Sequence, residues 1–214
     1  MTAIRINSLQ LSFNARTRLS FPNWTLEKTG EALILGPSGS GKTTLLHLLS
    51  GLVSPTAGQI EVNGCKLHEM SGTELDRFRK EQVGIVFQQP HLIKSLSVIE
   101  NLQLARHIGG QEPDNQWIGE IIEQLDLGEI KDRNVKKISQ GQAQRVAIAR
   151  SIMNRPTILF GDEPTASLDD ENCEKVISLL KQEARLCGAT LIIATHDQRV
   201  KREFAHQLLL KRQQ

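Results

Sequence analysis

Ala32-Leu33-Ile34-Leu35-Gly36-Pro37-Ser38-Gly39-Ser40-Gly41-Lys42-Thr43 is the stretch on which the fold turns. Four apolar residues make a short strand that stops at glycine, and from Thr43 to Leu52 leucines recur at helical spacing, at Leu45, Leu46, Leu48, Leu49 and Leu52. The order is strand, glycine-rich loop, helix. The loop has the form Gly36-x-x-x-x-Gly41-Lys42-Thr43, a phosphate-binding pattern in the position its physics requires. Glycines open backbone angles closed to other residues, so successive N–H groups can turn inward around an anion, and the helix N-terminus adds partial positive charge. Lys42 is expected to reach the outer phosphates and the Thr43 hydroxyl a magnesium ion, with Thr44 completing the contact segment.

Working outward, Ala3–Leu11 and Arg18–Leu26 alternate loosely and predict an antiparallel hairpin or edge sheet ahead of the loop. Beyond it come a strand at Gln59–Val62, a turn at Asn63-Gly64, a polar helix at Gly72–Gln82 and an apolar strand at Val83–Phe87. From Val98 to about Asp126 the pattern is helical, interrupted at Gly109–Pro113, and predicts a helical insertion. The last third alternates helix Gln140–Asn154, strand Thr157–Phe160, helix Asp170–Leu186, strand Thr190–Ala194 and a short helix near Gln198–Phe204, which argues for a parallel sheet with helices on its faces.

Composition narrows the classes. With 214 residues, 39% of them hydrophobic, the chain can bury a sizeable core as one unit. Its 26 basic and 24 acidic residues nearly balance, so nucleic acid is not an expected partner. Cys65, Cys173 and Cys187 have neither zinc spacing nor the pairing of a disulfide framework, and read as idle thiols in a reducing compartment. His47, His68, His91, His107 and His206 show no metal spacing either. The N-terminus lacks the pattern of a secretory signal, and no apolar run approaches the roughly 18 residues of a membrane span. A membrane role therefore needs another chain as anchor.

Ile158-Leu159-Phe160-Gly161-Asp162-Glu163 is an apolar strand delivering two adjacent carboxylates at its C-terminal end, the edge where open parallel sheets bind ligands. Asp162 is placed to hold magnesium through its water shell. Glu163 is placed to polarise the water that attacks the terminal phosphate. To this point the reading covers kinases, GTPases and motor ATPases alike.

Four further segments narrow it. Ile138-Ser139-Gln140-Gly141-Gln142, with Ala143–Arg150 after it, strongly resembles the signature motif and following helix of ABC ATPases, with Ser139 a natural N-cap. The resemblance implies that Ser139, Gln140, Gly141 and Gln142 meet the nucleotide held by a second subunit in a head-to-tail dimer. The family usually carries glycine where this chain has Gln140. Gln88 matches the family's Q-loop glutamine, a ligand of magnesium and water. Ser167-Leu168-Asp169 matches its D-loop, which lies across the dimer, and His196 its switch histidine, which bonds the terminal phosphate. Phe13 lies where the family places an aromatic that stacks on adenine, although a strand residue packed into the core fits that position equally well.

These motifs span essentially the whole chain. They imply a P-loop nucleotide hydrolase of α/β class: a central, mainly parallel sheet, an N-terminal antiparallel β subdomain, and a helical subdomain of about residues 89–155 inserted into a single domain, 1–214. The implied catalytic set is Glu163, His196, Lys42 and Gln88, and the magnesium set Thr43, Gln88 and Asp162. The implied protein is an ATP- and magnesium-dependent ATPase, paired with a second copy, bound to transmembrane permease subunits on the cytoplasmic face of a membrane. About 18 residues follow His196, which leaves no room for the regulatory domain of many sugar importers. The chain looks similar to the compact ATPases of lipoprotein-releasing, macrolide-exporting and glycolipid-exporting systems. DNA-repair and ribosome-acting relatives need a long coiled coil or two ATPase copies. A regulatory or structural ATPase of cell-division type is the alternative reading.

Overall fold

The computed structural model describes residues 1–13, 17–166 and 168–212. The chain opens with β1 (Thr2–Ser12), which takes β2 (Arg18–Ser20) and β3 (Trp24–Glu27) along one edge, both antiparallel. The sequence pattern predicted one strand where there are two. The Phe21 N–H still donates to the Leu9 carbonyl at 2.9 Å, but Pro22 has no N–H to give to a ladder, so pairing lapses at Pro22-Asn23, and the Asn23 Oδ1 accepts the Ser8 N–H at 2.7 Å instead. The other edge of β1 pairs with β5 (Ala57–Val62), which turns at Asn63-Gly64 into β6 (Cys65–Lys66).

The second sheet is wholly parallel. Its strands are β4 (Glu31–Leu35), β7 (Val83–Val86), β8 (Ile158–Asp162), β9 (Thr190–Thr195) and β10 (His206–Leu209), in the order β10-β4-β9-β8-β7. Helix α1 (Lys42–Leu49) follows β4 and lies between the two sheets, with Leu45, Leu46, Leu48 and Leu49 buried. It is shorter than its leucine pattern suggested, because Gly51 at φ 69 turns the chain after Ser50. Helix α2 (Gly72–Gln82) packs Leu75 and Phe78 into the same core.

Period-two alternation in the parallel strands feeds two cores. Leu33, Leu35, Leu159, Leu191 and Ile193 face one side, where α3 (Val98–Ile108), α4 (Asn115–Gln124), α5 (Gln140–Ile152) and α6 (Asp170–Cys187) cover them. Ala32, Ile34, Ile158, Phe160 and Ile192 face the other, against α1 and the antiparallel sheet. Ser71/Glu74, Ser97/Glu100 and Ser139/Gln142 form capping boxes that fix where α2, α3 and α5 begin. α5 stops two residues before the expected Asn154, and the short C-terminal helix is a 3-10 turn over Gln198–Glu203.

Strand β10 was not foreseen. Four residues with only Leu208 well buried leave almost no pattern to read, and it is pairing with β4 that creates the strand.

Candidate functional site

Register assembles the site. Leu35 sits opposite Thr195, Ala194 opposite Asp162, and Gly161 opposite Val86, so four strands end at one level. The loop after β4, the carboxylates of β8, the histidine after β9 and the glutamine after β7 are thereby brought to a single edge of the sheet.

In the loop after β4, a Cβ on Gly36 would stand 2.4 Å from the Ser40 hydroxyl and 2.7 Å from the Leu210 carbonyl, so the backbone passes there only without a side chain. Gly41 takes φ 91, which lets the chain turn into α1, and a Cβ there would press on Leu19 and Phe21 of the antiparallel sheet. Leu45 is the first residue to donate into α1, to the Gly41 carbonyl at 2.8 Å. The N–H groups of Lys42, Thr43 and Thr44 precede it, in the turn where helix geometry leaves donors for an anion. Pro37, Ser38 and Gly39 are exposed, while Ser40 is buried under the loop.

Lys42 is 6% exposed and donates to the carbonyls of Gly36 (2.9 Å) and Pro37 (3.2 Å). Its Nζ also lies 3.4 Å from Glu163 Oε1. The Thr43 hydroxyl donates to Asp162 Oδ1 at 2.9 Å. Burial raises the Asp162 pKa above the ordinary carboxylate value despite that bond and the nearby positive charge.

Glu163 has φ 48, a left-handed conformation rare for a side chain of its kind and of the sort that gathers at functional sites. Its N–H donates to the Ala194 carbonyl at 2.8 Å, which fixes the turn. One carboxylate oxygen accepts from the Thr195 hydroxyl (2.7 Å) and the His196 N–H (3.3 Å), and the other lies 2.9 Å from His196 Nδ1. Burial pushes the Glu163 pKa up, but the bonds from His196 and Thr195 and the charge on Lys42 outweigh it, and the net shift is downward. Glu163 is therefore an ionised acceptor at neutral pH, the state in which a carboxylate is able to orient water.

Gln88 is exposed just beyond β7 and lines a recess of about 450 Å³ with Glu163, Thr165, Ala166, His196 and Arg199. His196 bonds Glu163 here, and its ring is 62% exposed toward this opening. Phe13, 59% exposed at the end of β1, is not a core residue.

Ser139, Gln140 and Gly141 stand elsewhere. They are exposed at the start of α5 and line a separate recess of about 570 Å³ that also takes in Asp169 and Asn172. Ser139 Oγ accepts the Gln142 N–H at 3.2 Å, and Gln142 Oε1 accepts the Ser139 N–H at 2.9 Å, so Gln142 closes the capping box. Apart from its own stretch of helix, no atom among the described residues lies within 4 Å of where a Gly141 Cβ would be. Asp169 caps α6, accepting the Asn172 N–H at 2.8 Å. Ser167, of the same segment, lies outside the described residues.

A family model described as ABC transporter matches residues 19–166, which hold the phosphate loop, the α5 start and the paired carboxylates. This chain belongs to the ABC transporter family. It is an ATPase of that family, and its likeness runs through sequence and fold. The lipoprotein-releasing system ATP-binding protein LolD 1 of Chlorobium chlorochromatii (strain CaD3) is 37% identical over 195 residues, 89% of this chain and 79% of that protein. The ATP-binding cassette MJ0796, solved as a dimer in a post-hydrolysis state with ADP and Pi, superposes with a TM-score of 0.85 at 30% identity, covering 98% of this chain and 94% of that one. cbiO1 of Clostridium perfringens, part of the ABC transporter complex cbiONQ, gives 0.87 at 27% identity over 99% and 85%.

Sequence reasoning missed several parts of the site. Thr195 has no motif of its own and enters only as the last residue of β9. The backbone of Glu163 is a tertiary feature no pattern announces. Arg150, whose guanidinium donates to the Pro90 and His91 carbonyls and so holds the segment after Gln88, reads in sequence as an ordinary charge at a helix end.

Proposed function

We propose that this ATPase is the energising subunit of a transporter, working as a pair of copies on a membrane partner and hydrolysing ATP at two sites shared between them. The observation that carries the reading is a division of labour within one chain. Lys42, Thr43, Asp162, Glu163 and His196 meet at one sheet edge, while Ser139 and Gly141, a second anion-binding helix start, open onto another recess. A head-to-tail pair brings the two together, and MJ0796 is solved as a dimer.

The residues fit a magnesium nucleotide. The hydroxyl of Thr43 and the carboxylate of Asp162 are adjacent hard oxygens of the kind magnesium takes, with Gln88 able to add a third. A magnesium ion held by these residues would supply charge neutralisation for phosphoryl transfer. The chain's own part is positional. Loop amides and Lys42 hold the phosphates, Glu163 orients and polarises water, and His196, fixed by Glu163, bonds the terminal phosphate. Phe13 stacks on the base, and Asp169 meets the other copy.

Residues 89–155 act as a helical subdomain within one ATPase domain spanning 1–214. Between that subdomain and the core runs a groove of about 480 Å³ lined by Arg79, Phe87, Ile93, Asn101, Ile108 and Arg150. Ile93 and Ile108 are 45% and 58% exposed, an apolar surface in the groove that Phe87 also lines, suited to a segment of the membrane subunit. No helix among the described residues is long and apolar enough to cross a membrane. On the family likeness, the protein is held on the cytoplasmic face by its partner. The likeness to a lipoprotein-releasing ATPase favours export or release of a lipidated cargo that this chain need not touch.

The test uses Glu163→Gln, which keeps the shape of the site and weakens the base. Sedimentation with ATP and magnesium is expected to show a dimer that disperses on exchange into ADP, and cysteine cross-linking in membranes should join Ile93 to the permease. A protein that stays monomeric at high concentration with ATP would count against the shared site.

A further inference from the structure

Beyond β9 the chain runs Thr195-His196-Asp197-Gln198-Arg199, and the last of these makes more directed contacts than any motif assigns it. Arg199 Nε and Nη2 engage both carboxylate oxygens of Asp197, at 2.9, 3.1 and 2.7 Å. The remaining arm, Nη1, donates to the Leu168 carbonyl at 3.1 Å and to Asp170 Oδ1 at 2.7 Å. Asp197 also accepts from the Thr165 hydroxyl at 3.2 Å. One planar guanidinium thus joins three pieces of chain: the turn that carries His196, the loop that leaves Glu163, and the first turn of α6 beside Asp169.

The contacts continue inward. The Asp197 N–H donates to the Thr195 hydroxyl at 3.0 Å, and that hydroxyl donates to Glu163 at 2.7 Å. A bonded line therefore runs from Glu163 through Thr195 and Asp197 to Arg199 and out to Leu168 and Asp170. The Arg199 side chain is 40% exposed, and exposed ion pairs add little to stability. What a fork of fixed geometry supplies at such a place is orientation, which a lysine on a flexible stem cannot reproduce. The Arg199 bonds hold the Asp197 carboxyl down at about 2, so the clamp stays charged across the working pH range.

We propose that Arg199 is a positioning residue for ATP hydrolysis: it locks the His196 turn to the Leu168–Asp170 segment, so that contact made by Asp169 with a second copy sets the placement of His196 and Glu163. This rests on the two-copy reading given above.

The experiment measures kcat, KM, the Hill coefficient and, separately, nucleotide affinity for Arg199→Ala, Arg199→Lys, Asp170→Asn and the double variant Arg199→Ala/Asp170→Asn, with Glu163→Gln alongside. Arg199→Ala is expected to lower kcat about tenfold, well within what a small misplacement costs, with the Hill coefficient falling toward 1 and nucleotide affinity unchanged. Arg199→Lys should recover little of the rate. Asp170→Asn, at a carboxylate 87% exposed, should show a smaller loss in the same direction, and the double variant should be no worse than Arg199→Ala alone. An unchanged kcat in Arg199→Ala, or full rescue by lysine, overturns the proposal. Should Arg199→Ala not fold, an unchanged kcat in Asp170→Asn does so instead. If Glu163→Gln loses turnover while the Arg199 variants keep it, the clamp alone is refuted. If Glu163→Gln itself keeps turnover, the site assignment falls.

Discussion

Two helix starts in this chain, the one at the phosphate loop and the one proposed to meet another copy's nucleotide, are built in opposite ways. At α1, the loop is threaded between a buried serine, a neighbouring carbonyl and the antiparallel sheet, and Lys42, Thr43, Asp162, Glu163 and His196 bond one another across three strand ends. At α5, Ser139 bonds only its own first turn, Gly141 has open space around it, and the surface is exposed. The first is a site already organised by its own fold. The second is complete as a helix cap and incomplete as a site, which is what a surface destined for another molecule's phosphates should look like. Strain follows the same division: Glu163 holds a left-handed backbone, whereas Ser139 has the extended φ of −70 expected of an N-cap.

The largest effect is expected on the organised side. Glu163→Gln should lower ATP turnover by at least about a hundredfold, the low end for losing a positioned base, while leaving nucleotide binding intact. Because Glu163 also receives Thr195 and His196, the glutamine variant should keep its melting temperature within a few degrees. Steady-state turnover near that of the parent would remove Glu163 from the role of base and with it the contrast between the two helix starts.

A second test addresses the contact between α4 and α6. Glu183 of α6 is fully buried against α4: Oε1 accepts from Gln124 at 2.8 Å, and Oε2 has no hydrogen-bond partner among the described residues. Cys187 lies near it on the same helix, its thiol pushed up to about 11 by burial and by Glu183, with Arg155 acting the other way. Burial raises the Glu183 pKa to about 7 from an ordinary 4.5. Between these values the folded chain holds a proton that the unfolded chain has released. Stability from this group is thus fully present below about pH 4.5, falls as pH rises toward 7, and is flat above. The loss should be on the order of 3 kcal/mol. Urea unfolding at pH 5 and pH 8 should show Glu183→Gln more stable than the parent at pH 8 and little different at pH 5. Parallel pH dependence in both proteins would mean that Glu183 is ionised in the fold.

The organised region was the more legible in sequence, because Gly36–Thr43 is a short motif with fixed chemistry and Asp162-Glu163 gains meaning beside it, while His196 was legible through the family resemblance alone. Sequence did not contain their common level, which comes from the register of β4, β7, β8 and β9. Nor did it show β10, whose single well-buried leucine gives no periodicity, or the break at Pro22 that divides β2 from β3. Arg199 escaped for a related reason. Its five directed contacts join segments up to 31 positions apart, and such a clamp has no local signature. At α5 the reverse held. Gln142 was read through a family motif, while its physical task, closing a capping box with Ser139, is local and visible in the spacing itself.

Capping and phosphate contact are separable at Ser139, and this is where the smallest effect should be sought. Ser139→Ala removes the acceptor for the Gln142 N–H and should cost about 1 kcal/mol in stability. Ser139→Asp keeps an acceptor in place and adds a negative charge that suits a helix N-terminus, so the folded chain should be as stable as the parent. If Ser139 also faces a phosphate of the other copy, that same charge repels it. The aspartate variant should then turn over ATP several-fold more slowly while melting at the parent temperature and binding nucleotide normally as a monomer. A helix start that serves only its own helix would give the opposite pattern, with alanine the more damaging substitution in every measurement. Comparing the two variants therefore asks directly whether the exposed start of α5 ends at its cap or continues into another subunit's site.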